Sequence, residues 1–122
     1  MAVQDSLEKY GAYRKSLELF DLVVQDMEAL QCRSHCRRLV SQQIASADSI
    51  AANIEEGYGR ESRKEYIQFL RYARGSARET RGRYIRMNHW LAGDIVASRV
   101  AICDEIIGTI TKTITTLRNK ND

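Results

Sequence analysis

Two groups of residues in this chain have side chains suited to chemistry beyond folding. Cys32, His35 and Cys36 bring two thiols and an imidazole together, with His89 or Cys103 as a conceivable fourth donor. A structural zinc site needs four convergent ligands, and this spacing matches no zinc signature, so incidental cysteines in a loop are the simpler reading. The same thiols and imidazole would form a nucleophile and base only with an orienting residue and an oxyanion hole, and nothing in the sequence supplies either. Gly57 and Gly59 lack the lysine and hydroxyl arrangement of a phosphate-binding loop. The expectation is a protein that is not an enzyme, with no catalytic residue, metal or cofactor.

The second group is a run of arginines. Arg63, Arg71, Arg74, Arg78 and Arg81 recur at helical spacing. At 100° per residue they lie a quarter to a third of a turn from an apolar stripe on the same helix. Arginine forms bidentate bonds to phosphate and carboxylate and stacks on rings, which makes Arg71, Arg74, Arg78 and Arg81 a sharper nucleic-acid signal than lysines would be. Ile67 and Ile85 project in the same direction and are expected at an interface between copies of the chain. Two other readings stay open: a solvated face, and arginines paired with acidic residues of neighbouring helices. Trp90 and Tyr84 read as core or interface aromatics, and Tyr66 and Tyr72 lie beside the arginines.

The elements that must position these residues are helical. The chain has 122 residues and no proline, with 43% hydrophobic and 29% charged residues, the balance of one globular domain. No apolar run is long enough to span a bilayer, and the first residues lack a secretory pattern, so a cytoplasmic protein with free thiols is expected. A net charge of +3 is too small to argue for nucleic acid by itself; the placement of charge matters more.

Apolar spacing predicts four helices. Leu17, Phe20, Val23, Val24 and Met27 mark the first, over about 13–29. Val40, Ile44, Ala47, Ala51, Ile54 and Tyr58 mark the second, over about 38–56, with Gly57 and Gly59 as terminators in conformations unfavourable to other residues. Ser62 and Glu65 form a capping box for the third, over about 62–90, whose stripe is Tyr66, Leu70, Ala73, Ala77, Thr80, Tyr84, Met87 and Leu91. Gly93 and Asp94 supply a stop and a new cap. Val96, Val100, Cys103, Ile107, Ile110, Ile114 and Leu117 then define the fourth, over about 95–118, despite many β-branched residues. Short connections make an antiparallel up-down-up-down four-helix bundle over 13–118 the expected architecture, with a flexible segment at 1–12 and a frayed end at 119–122.

Two motifs then stand out: Ala52-Asn53-Ile54-Glu55-Glu56-Gly57 with Gly59 nearby, and Ser62-x-x-Glu65-Tyr66-x-x-Phe69-Leu70-x-x-Ala73-Arg74-Gly75-Ser76-x-x-Glu79. In order and spacing they resemble the four-helix-bundle proteins encoded within intervening sequences of bacterial 23S ribosomal RNA genes. The resemblance runs from about Tyr13 to the last helix. It implies an antiparallel bundle assembled as a homopentameric ring, without established enzymatic activity. The family is also similar to the accessory variability proteins of diversity-generating retroelements, basic pentamers that bind nucleic acid and partner a reverse transcriptase. This chain departs from the pattern in lacking a proline before the second helix, in carrying Glu55 at a position usually small and hydrophobic, and in the extra arginines Arg71, Arg78, Arg81, Arg83 and Arg86.

Asn53, Glu56, Gly57, Gly75, Ser76 and Glu79 are expected to serve packing and assembly, with Gly75, Ser76 and Gly82 permitting close approach of a helix or a nucleic-acid backbone. The leading expectation is a homo-oligomeric accessory protein binding RNA or DNA through Arg71, Arg74, Arg78 and Arg81, with a reverse transcriptase as a further partner. The alternative is a structural or protein-interaction bundle whose arginines meet acidic residues of another subunit.

Overall fold

The computed structural model describes residues 6–120, and among these there are helices and turns but no strand. Four long helices form a bundle: α1 (Gly11–Leu30), α2 (Arg37–Tyr58), α3 (Arg63–Arg86) and α4 (Gly93–Arg118). Short 3₁₀ turns at Ser34–Cys36 and Met87–His89 lead into α2 and out of α3. Each helix packs chiefly on two others, α1 on α2 and α4, and α3 on α2 and α4.

Hydrogen bonds across the interfaces give the register. Gln43 meets Thr80 and Ser49 meets Ser76, so α2 and α3 run antiparallel. Arg74 meets Thr111 and Arg81 meets Asp104, so α3 and α4 do the same.

The helix ends show how local chemistry sets the boundaries. Ser62 has extended backbone angles, and its hydroxyl accepts from the Glu65 amide at 3.2 Å, half of the expected capping box. The Glu65 carboxylate turns instead towards Arg60, at 3.9 Å. The last turn of the predicted third helix tightens into the 3₁₀ turn after Arg86. Ala92 rather than Gly93 is the residue before α4, and Asp94 lies in its first turn, where a carboxylate is favoured by the helix dipole. Of the segment expected to be flexible, residues 1–5 lie outside the described residues. From residue 6 on, it is folded: Leu7 and Tyr10 pack against the core, and the Tyr10 hydroxyl bonds Thr113 at 2.7 Å. Of the expected frayed end, 121–122 lie outside the described residues, and the Lys120 carbonyl accepts from Arg63.

The predicted stripe of α3 is the most faithful, with Leu70, Ala73, Ala77, Thr80, Tyr84, Met87 and Leu91 all buried. That of α1 is rotated. Leu17 is exposed, and the buried line is Ala12, Ser16, Leu19, Val23, Asp26, Met27 and Leu30. The reason is Asp26, a carboxylate facing the core. It accepts from the buried Tyr84 hydroxyl at 2.7 Å and from Arg99 Nε and Nη2 at 2.8 and 3.1 Å. One carboxylate thus ties α1, α3 and α4 together.

Gly57 is not a left-handed terminator. Among the described residues none has positive φ, and α2 continues through Gly57 to Tyr58. Its role is close approach: a Cβ there would fall 2.7 Å from the Phe69 Cβ and 3.1 Å from Tyr66 Cδ1. Those atoms sit close to the α3 backbone and cannot swing aside.

Three outcomes test this account. Gly57→Ala should destabilise the protein by about 1–3 kcal/mol by forcing α2 from α3, despite alanine's helix propensity. Gly108→Ala, at a position with open space in α4, should stabilise by up to about 1 kcal/mol; urea unfolding reads both. Asp26→Ala should cost about 3–5 kcal/mol in the same measurement, because Arg99 and Tyr84 lose their shared acceptor. The third concerns alkaline pH. Burial pushes the Cys103 thiol from 9.0 up to about 12, and burial with the Asp26 bond pushes Tyr84 above its ordinary 10.0. The folded state keeps these protons while the unfolded chain releases them, so stability falls as pH rises above 9, by at most about 1.4 kcal/mol per pH unit for each group. Unfolding at pH 8 and near pH 10.5 should differ by about 2–3 kcal/mol, and equal stability would contradict it.

Candidate nucleic-acid interface

The arginines on α3 divide between two neighbours. Arg71 and Arg78 are exposed, and Arg74 between them is partly covered, its Nη1 donating to Thr111 of α4 at 3.2 Å. Burial, and then the like charges of Arg78 and Arg71, hold the Arg74 guanidinium below its ordinary range. These three therefore form one cationic cluster. Among the described residues, no ion pair joins any of them to a carboxylate.

Arg81 differs. Its Nε donates to Asp104 of α4 at 2.6 Å, so this member of the expected phosphate-binding set is neutralised within the chain. At half exposure such a pair adds little stability, but it takes up the Nε donor and places a carboxylate beside the guanidinium.

Beyond Arg71 the ridge opens into a cleft of about 1000 Å³ between the start of α3 and the end of α4, lined by Arg63, Lys64, Arg71 and Arg118 with Tyr72, Ile67 and Leu117. Among the described residues, Glu65 is the one carboxylate in its lining. The N-terminal end of α3, with its positive dipole, lies there too. Cations, an exposed Tyr72 ring and helix amides in one groove suit a phosphate backbone with a base face beside it.

Ile67 and Ile85 part company. Ile85 is 47% exposed, as an interface residue requires, whereas Ile67 is only 7% exposed and belongs to the core. The expectation that both lie outside the monomer core is corrected for Ile67: α4 packs against the α3 flank, so the arc it buries is wider than one apolar stripe.

The motif residues are also sorted by the α2–α3 interface. Asn53 Nδ2 donates to the Ser49 carbonyl and hydroxyl at 2.8 and 3.0 Å, and the Ser76 hydroxyl donates to Ser49 Oγ at 3.1 Å. Glu56 pairs with Arg60 on the surface, and Arg60 lies over the Phe69 ring, 5.0 Å from its centroid. Glu79 is exposed. Gly75 meets nothing within 4 Å, so the close approach expected there does not occur within the chain.

Arg83, counted from the sequence among the extra arginines of the third helix, is buried against α2. Its Nη1 donates to Gln43 Oε1, Ser46 Oγ and the Gln42 carbonyl at 2.8, 3.0 and 3.4 Å. The signal was present in the spacing, since Arg83 lies seven residues after Ser76 and so only about 20° from it on the helix.

The thiol and imidazole cluster does not converge. Cys36 and Cys103 are buried and Cys32 is exposed. His35 and His89 each pack against Trp90, at 5.8 and 5.7 Å between ring centroids. Among the described residues, no group of three or more His, Cys, Asp or Glu side chains is placed to hold a metal ion. No helix among them is long and apolar enough to cross a membrane.

Comparison with known proteins agrees with this architecture. No protein of curated function matches the chain. A crystal structure of a protein of unknown function from the S23 ribosomal protein family of Bacteroides thetaiotaomicron is similar with a TM-score of 0.79 and 25% identity, covering 84% of this chain and 97% of that one. The family model described as 23S rRNA-intervening sequence protein matches residues 8–112. The chain therefore belongs to the 23S rRNA-intervening sequence protein family.

Proposed function

We propose that this chain is a non-enzymatic, cytoplasmic accessory protein that binds RNA or DNA along α3, as an up-down-up-down bundle assembled into a homopentameric ring. The observation that carries the reading is the cluster of Arg71, Arg74 and Arg78 on one side of α3, joined to no carboxylate among the described residues. Like charges gathered on one face destabilise a chain unless an anion joins them, and a polyanion is the ligand that gains most from several at once through counterion release. Arg81, held by Asp104, serves the edge of this surface rather than its centre. Contacts to phosphate give affinity without strong sequence discrimination. A ring would repeat the cluster around its symmetry axis and multiply the field of a weakly basic subunit.

Neither comparison points to a reverse transcriptase, and nucleic-acid binding does not require one. The second reading, a protein-interaction bundle, is favoured by the exposed Ile85 and Tyr72 beside the arginines, an apolar and basic mixture suited to a subunit contact.

The double variant Arg74→Glu, Arg78→Glu separates them. If the ridge binds nucleic acid, the variant stays folded and oligomeric while affinity for single-stranded RNA or DNA falls roughly tenfold or more. The slope of log affinity against log salt should also lose about 0.7–0.9 for each phosphate contact removed. Unchanged binding by a folded, oligomeric variant rules out the nucleic-acid reading. Loss of the oligomer first, read by light scattering, favours the interaction bundle, and a monomeric parent at moderate concentration rules out the ring.

A further inference from the structure

On the other flank of α3, facing α2, a cleft of about 310 Å³ is lined by Gln42, Ser46, Ser49, Ser76, Glu79 and Arg83. Arg83 is 8% exposed, and all three of its hydrogen bonds run through Nη1. Its Nε is fully buried and has no partner. A buried, unpaired guanidinium N–H is costly, and burial pulls the Arg83 charge below its ordinary range while Glu79 opposes that effect. The bonds at Nη1 fix the plane of the group, so its Nε edge is already oriented. We propose that this cleft binds one monoanionic phosphodiester group, held by the Ser49 hydroxyl and by the Nε edge of Arg83, which the ligand reaches as the side chains covering it part.

The hydroxyl network identifies the second donor. Thr80 spends its hydrogen on the Ser76 carbonyl, so Ser46 donates to Thr80 or to the Gln43 carbonyl and has nothing left for a ligand. Ser76 donates to Ser49. Ser49 Oγ accepts from both Asn53 and Ser76, and among the described residues no acceptor takes its own hydrogen. Two unspent donors thus belong to residues that line one cleft, one from each helix. Donors arriving from two helices suit the splayed oxygens of a phosphate better than the coplanar pair of a carboxylate. The Glu79 carboxylate on the rim leaves the site close to neutral with Arg83, which favours a monoanion over a dianion.

The diester identity rests on the nucleic-acid reading above, whereas the site itself does not. The probe is dimethyl phosphate, titrated into the ¹⁵N-labelled full chain and followed at the Arg83 Nε–H resonance, with acetate in parallel. Dimethyl phosphate should shift that signal saturably in the millimolar range, and more tightly than acetate. Arg83→Lys should abolish binding. Glu79→Gln, a surface change that leaves the buried network intact, should tighten it about threefold. No saturable shift in either the parent or the Glu79→Gln variant overturns the site, and acetate binding at least as tightly overturns the phosphate assignment in favour of a protein carboxylate. Titration of Arg83 by dimethyl phosphate in the Arg74→Glu, Arg78→Glu variant supports the site even where the ridge fails. A short single-stranded oligonucleotide that shifts the α3 ridge but leaves Arg83 unmoved overturns the diester assignment alone.

Discussion

The Asp26 carboxylate is buried near the end of the bundle where α1 and α3 finish and α4 begins, and an unpaired charge there would cost several kcal/mol. Three N–H and O–H donors, from Tyr84 on α3 and Arg99 on α4, compensate it. Apolar side chains alone specify that α1, α3 and α4 pack, but allow neighbouring rotations of similar energy. The Asp26 bonds allow one. They turn α1 so that Leu19, Val23 and Met27 face inward and Leu17 faces outward. They also fix the roll of α3, and with it the direction of every arginine on that helix. Whether a buried ion pair stabilises the fold outright depends on context, but its directional demand is strict.

With its roll fixed, α3 presents two different flanks. Towards α2 the interface is small and polar: Gly57 lets the backbones approach, and Gln43, Ser46, Ser49, Ser76, Thr80 and Arg83 are joined in a continuous network that leaves Arg83 Nε without a partner. Towards α4 the contacts are made by arginines, with Arg74 on Thr111 and Arg81 on Asp104. Between these flanks lies an exposed strip with Gly75 and Gly82, bordered by Arg71 and Arg78 on one side and by Glu79 and Arg86 on the other. The candidate surface is therefore a consequence of packing: residues consumed by neighbouring helices are removed from it, and those left over define it.

This sorting explains how much of the site could be read beforehand. Arg71, Arg74 and Arg78 were legible because a helix face is set by 100° steps and nothing on α4 intercepts their charge. The division of Arg81 from its neighbours was not, since it depends on Asp104, which a chain separation of 23 residues brings opposite only when α3 and α4 run antiparallel in one register. Arg83 looked like one more cation. Only the proximity of α2 made it a buried donor.

The sequence by itself determined the helices, their approximate ends, the apolar side of α3 and membership of a bundle family, because periodicity and capping act between residues a few positions apart. It did not determine the rotation of α1, the burial of Ile67 or the reason for Gly57. A single stripe of apolar residues underestimates the arc that a helix buries between two neighbours. A glycine required for close approach reads the same as one required for a turn. Tertiary structure decided these points because each depends on which atoms a second helix brings within about 4 Å, and sequence spacing along one helix carries no record of that distance.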